Sequence, residues 1–157
     1  MYKLLATCVL VLFGSGAPQE TPHLKVVTSV TPDTVTAGAR VPLAVDVTPK
    51  PGIHVYAPGQ DGYIAITVKI DPQPGFSTTG KPKYPKPEKF VMPALNETQL
   101  VYNKPFRITQ DVTIASVPKV MVTPLTIKGS IRYQACNDKI CFLPTTIPVT
   151  WTINPVR

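Results

Sequence analysis

Apolar and polar residues alternate with a period of two through most of this chain. "VPLAVDV" places Val41, Leu43, Val45 and Val47 on one face, and "IAITVKI" does the same with Ile64, Ile66, Val68 and Ile70. "FRITQDVTI" alternates Phe106, Ile108, Val112 and Ile114, with Gln110 breaking the apolar set. "LTIKGSIRYQA" aligns Leu125, Ile127, Ile131 and Tyr133, and "IPVTWTI" aligns Ile147, Val149, Trp151 and Ile153. Such alternation marks strands with one buried face. "LKVVTSV" from Leu24 predicts a first strand and "GIHVYA" around Ile53 another.

Nineteen prolines run through the chain, a spacing that excludes long helices. Seven or so short strands between Pro, Gly and Asp turns predict an all-β, antiparallel sandwich in one domain. Pro42, Pro105 and Pro148 lie at or within these strands, which places their stretches at sheet edges or strand starts. Residues 71–99, rich in Pro and Lys, are expected to be irregular and extended, a length of connection that is often functional.

The first residues, "MYKLLATCVLVLFGSGA", have Lys3, an apolar run from Leu4 to Phe13 and then small residues. This is the layout of a signal peptide over residues 1–17, leaving 18–157 as the exported domain. Export implies an oxidising compartment. The formal charge of +7 gathers in "GKPKYPKPEKF", where Lys81, Lys83, Lys86 and Lys89 are opposed by Glu88 alone. A solvated loop is the simpler account of that run, and a docking surface for an acidic partner or an anionic headgroup the sharper one. No nucleic-acid reader motif accompanies it.

Without Cys8, the exported chain keeps only Cys136 and Cys141, inside "RYQACNDKICFLP". Asn137 and Asp138 are turn formers, so a hairpin with the cysteines facing across its mouth is the simplest geometry. Strand parity gives Cys136 the outward position or the strand's end. A ring this small constrains the unfolded chain by on the order of 2 kcal/mol, against about 3 for fifteen residues. Redox exchange is therefore favoured over a structural clip, and a clip over a metal site. Two thiolates need further ligands, and the candidates are His23, His54 and, for copper(I), Met92 and Met121. Lys139 would favour a thiolate and Asp138 oppose it. Tyr133 and Phe142 flank the pair and could shield it. His54 and Tyr56 share one face of their strand. If that strand lies beside the hairpin, His54 could move a proton; an exposed histidine is the plainer reading.

The stretches "YQACNDKICFLPTTIPVTW", "PGIHVYA" and "LVYNKPFRITQDVTI" resemble the N-terminal periplasmic domain of the thiol:disulfide interchange protein DsbD. The resemblance spans most of residues 24–154. It implies an immunoglobulin-like sandwich with a redox-active Cys136–Cys141 disulfide and no other cofactor. It also implies a protein-disulfide reductase type of activity, with electrons received from a membrane donor and passed to periplasmic thioredoxin-like proteins. By position, His54 and Tyr56 fall where the family has two site-lining tyrosines. Gln99, Leu100, Val101, Tyr102 and Asn103 fall in its cap loop, where Val101 or Tyr102 would cover the disulfide. The four-residue loop between the cysteines is one shorter than in well-known members. A monomer is expected, with Cys136 as the attacking and Cys141 as the resolving residue. The competing classes are an exported binding module braced by the cystine and a copper-handling protein.

Overall fold

A computed structural model describes residues 17–59, 61–92, 96–116 and 123–155. The expected signal segment lies outside these apart from Ala17, as does Met121. Thirteen strands run through the described residues, with no helix among them. They are β1 (Gln19–Glu20), β2 (Leu24–Val30), β3 (Thr34–Val35), β4 (Arg40–Pro49), β5 (His54–Tyr56), β6 (Thr67–Ile70), β7 (Phe76–Lys83), β8 (Glu88–Met92), β9 (Glu97–Tyr102), β10 (Phe106–Ile114), β11 (Leu125–Tyr133), β12 (Ala135–Cys136) and β13 (Thr145–Pro155). They form three sheets, ordered β1-β2-β4-β10-β7, β3-β13-β11-β6 and β12-β5-β9-β8.

The alternating apolar sets become the inner faces of the first two sheets. Leu24, Leu43, Val47, Ile108, Val112, Ile127, Ile131 and Ile153 are all buried in one cluster. Trp151 crosses between these sheets and donates its indole N–H to the Ala44 carbonyl at 2.8 Å. The Thr28 hydroxyl makes a second crossing, to the Thr150 carbonyl at 2.6 Å. Gly129 lies beneath the indole: a β-carbon there would run into the Lys69 carbonyl and sit 3.1 Å from Trp151 Cζ3. The long pattern on β11 therefore needs its one residue without a side chain.

The Pro/Lys-rich segment is irregular only in part among its described residues, chiefly at 71–75 and 84–87, in contrast to the sequence expectation. It supplies β7 and β8, each the outermost strand of its sheet. Lys and Pro suit such edges, because they discourage pairing with another chain. Gln110, the break in the β10 pattern, is buried where the β10–β7 register shifts between Thr109 and Asp111. Its amide donates to the carbonyls of Thr79, at the edge of the shift, and Gly80, which the shift leaves without a partner in the ladder. Asp111 beside it holds both Arg40, at 2.6 Å, and Lys83, at 3.0 Å.

Candidate functional site

The third sheet carries the cysteines at one end of the sandwich. Its central strand β5 follows a tight turn in which Ile53 N–H donates to the Lys50 carbonyl at 3.0 Å. Pro51 and Gly52 occupy the middle of that turn, and Gly52 has φ +75°, the conformation a type II turn requires there. β5 then pairs with β12 on one side and β9 on the other. Val55, Ala135 and Tyr102 face the main core, whereas Tyr56, Val101 and Cys136 form a separate buried cluster against Tyr63 and Phe90. Both faces of β5 are covered, so His54, Val55 and Tyr56 are all buried.

Cys136 and Cys141 are joined by a disulfide, with Cα atoms 4.0 Å apart across an antiparallel bridge. Asn137 closes the turn between them. Its side-chain oxygen accepts from the N–H groups of Lys139 and Ile140, at 2.9 and 2.8 Å, and its own N–H donates to the Ile140 carbonyl. Phe142 N–H donates to the Ala135 carbonyl just outside the bridge. The two sulfurs differ sharply in environment. Cys136 is 0% exposed, while Cys141 lies on the surface. Cys136 stands at the strand's end, as one of the two expectations had it, and faces away from the main core that Ala135 enters; it is nonetheless buried, because the small cluster covers that face.

The Tyr56 hydroxyl reaches both sulfurs, 3.4 Å from Cys136 Sγ and 3.3 Å from Cys141 Sγ. Disulfide sulfurs carry no hydrogen, so the tyrosine is the donor. Burial, with Tyr63 close by, pushes its pKa up to about 12, which keeps the proton on the oxygen. The two tyrosine rings stack at 4.2 Å. The outer ring is held in turn: Tyr63 O–H donates to Glu97 at 2.7 Å and accepts from Gln99 Nε2 at 3.2 Å. Gln99 is fully buried and also reaches Met92 Sδ at 3.8 Å.

His54 stands directly opposite Cys136 in the β5–β12 pair and is 3% exposed. The expected exposed histidine is corrected, because Phe90 covers it with ring centroids 4.7 Å apart. Its Nε2 is sealed from solvent and has no hydrogen-bond partner. Burial pushes its pKa below the usual 6.5. An open cleft of about 460 Å³ lies beside it, lined by Gly52, Ile53, His54, Phe90, Asn103 and Asp138.

Other candidates fall elsewhere. Gln99 to Tyr102 belong to the regular strand β9 rather than to a cap loop. Val101 packs on Cys136, but Tyr102 faces the main core, where it stacks on Phe106 and donates to the Pro85 carbonyl. Tyr133 is buried in the main core with its hydroxyl on Thr21, and Phe142 packs against His23 at 4.3 Å. These two brace the base of the hairpin instead of shielding the sulfurs. Lys139 and Asp138 are exposed on the loop. Phe90 and Tyr63 are the cover the sequence reading missed; the run of Phe90, Val91 and Met92 has no polar–apolar alternation to mark which side chain is turned inward. Among the described residues, no group of three His, Cys, Asp or Glu could hold a metal ion. Among the described residues, three large apolar side chains stand out into solvent: Ile140 between the cysteines, Leu143 two residues beyond them and Val91 on β8.

A family described as "Thiol:disulfide interchange protein DsbD, N-terminal" matches residues 22–151. No curated protein matches the chain. Among solved structures, the N-terminal periplasmic domain of ScsB from Proteus mirabilis is similar at TM-score 0.57 and 14% identity, over 89% of this chain and 51% of that one. This chain therefore spans about half the length of that domain. The N-terminal domain of Neisseria meningitidis DsbD, in its reduced form, matches at TM-score 0.48 and 21% identity, over 75% of this chain and 82% of that one. The likeness to the first confirms an all-β sandwich.

Proposed function

The chain belongs to the family of the N-terminal domain of the thiol:disulfide interchange protein DsbD, and from that we propose that it relays electrons in the periplasm through Cys136 and Cys141. In this reading the pair takes electrons from a membrane donor and passes them to thioredoxin-like proteins as a protein-disulfide reductase. The observation that carries it is the asymmetry of the pair. One cysteine is exposed at the surface, the other is fully buried, and a tyrosine O–H is aimed at both sulfurs.

The exposure of Cys141 supports the opposite order of attack to the one expected from the sequence. Cys141 is the thiol a partner can reach, so its thiolate attacks the partner's disulfide and forms the mixed disulfide. Cys136 then attacks Cys141 Sγ, restoring the internal bond and releasing the reduced partner. The Tyr56 hydroxyl favours whichever sulfur is carrying the negative charge. Export of the chain by residues 1–17 is part of the same proposal.

A redox titration read by mass shift after thiol alkylation tests the relay. A potential well below about −300 mV would mark a structural bond and end the proposal. Trapping tests the order: Cys136→Ser should accumulate a mixed disulfide with a thioredoxin-like protein and Cys141→Ser should not, and the opposite pattern reverses it.

A further inference from the structure

We propose that His54 is the proton acceptor for the Cys136 thiol during the resolving attack. This rests on the interchange reading above and names a group that completes it. Cys136 is fully buried, so once reduced its thiol has no water to take its proton. The hydrophobic side chains clustered with it are Tyr56 and Val101, with Tyr63 and Phe90 packed against that cluster. Val101 and Phe90 are inert. Tyr56 and Tyr63 hold their own protons above the normal range, so they donate instead of accepting. His54 is the cross-strand neighbour of Cys136 and shares its face of the sheet. Its buried Nε2 has no partner in the oxidised form, and a neutral imidazole carries one free lone pair.

The step balances within the protein. Cys136 S–H gives its proton to the imidazole and keeps the electron pair, which forms the bond to Cys141 Sγ. The mixed disulfide breaks, and the partner's sulfur leaves with that bond's electrons. The imidazolium then returns its proton to the departing thiolate or to solvent, along the cleft between Asn103 and Asp138. One S–S bond forms and one breaks. The charged groups near the ring are few. Asp138 lines the cleft with Lys139 next to it on the loop, and Glu88, on the same face of β8 as Phe90, is engaged by Lys104 at 2.8 Å. Asp138 favours the imidazolium at the moment it forms.

The test follows thiolate ultraviolet absorbance against pH in the single-thiol variant Cys141→Ser, with and without His54→Gln. The glutamine keeps polar atoms in place but cannot titrate. The proposal expects the ionisation to move up by about one unit, roughly tenfold less thiolate at a fixed pH. Superimposable curves overturn it. A second measurement needs no substitution: the His54 ring nitrogens are titrated by NMR in the intact chain, oxidised and reduced. Reduction should raise the imidazole midpoint, since an adjacent thiolate favours the charged ring, and an unmoved midpoint overturns the proposal. Dithiol exchange by the intact protein is measured in parallel. Its failure would sink the interchange reading while leaving both titrations readable.

Discussion

The Tyr56 hydroxyl lies 3.3 Å from Cys141 Sγ and 3.4 Å from Cys136 Sγ, so one donor serves both ends of the disulfide. In Tyr56→Phe the ring stack on Tyr63 survives and only the O–H is lost. Hydrogen bonds to charged groups contribute about 1.5–3 kcal/mol, so the Cys141 thiol should ionise about one pH unit or more higher. The pH dependence of alkylation in a Cys136→Ser background reads this directly. An unchanged profile would remove the tyrosine from the chemistry.

Leu143 is 87% exposed and sits two residues from the reachable sulfur. Leu143→Asp should slow exchange with a protein partner by roughly tenfold, the effect of losing one apolar anchor. Exchange with a small dithiol, which needs no docking surface, should not change. Equal slowing of both would place the effect in the sulfur chemistry instead.

Trp151→Phe removes the indole donor to the Ala44 carbonyl, a bond that joins the two sheets at a residue paired with Ser29 and Thr109 in its own sheet. A loss of about 0.5–1.5 kcal/mol is expected from that hydrogen bond, before any packing defect. Gly129→Ala should cost at least as much, because its methyl meets the fixed backbone of Lys69 as well as the indole. Urea unfolding midpoints check both variants.

Asp111 is held below the ordinary carboxylate value of 3.8, chiefly by hydrogen bonds from Lys83 and Arg40. A lowered folded-state value stabilises the fold fully above 3.8, and that contribution disappears as pH falls through the lowered value. Asp111→Asn should therefore be less stable than the parent near neutrality, and the gap should close in acid. Unfolding midpoints at neutral pH and below pH 3.8 measure it; a gap that persists in acid would mean the loss is steric.

Much of the sandwich was legible because long strands state their parity many times. Four apolar positions in "VPLAVDV" and five inward positions on β11 each repeat one message, and all nine are buried or nearly so. The site was harder to read. Its sheet is built partly from strands of two and three residues, too short to show a period, and β5 is covered on both faces. His54 looked exposed because alternation assumes one wet face. β7 and β8 were hidden by Pro and Lys, the residues that make good sheet edges and look like loop. The cysteine pairing was legible because Asn137 and Asp138 announce the turn. Which sulfur is sealed was not, since that depends on where β12 departs from β11.

The Asn137 turn holds the hairpin by four hydrogen bonds that involve no sulfur, counting the Phe142 bond to Ala135. Cutting the cystine therefore need not let its halves drift apart. A buried thiol kept this near its mate acts at a very high effective molarity, so captured partners should be released almost as soon as they are bound. In the proposed relay such a hairpin is geared for turnover, with covalent complexes that are fleeting unless Cys136 is removed.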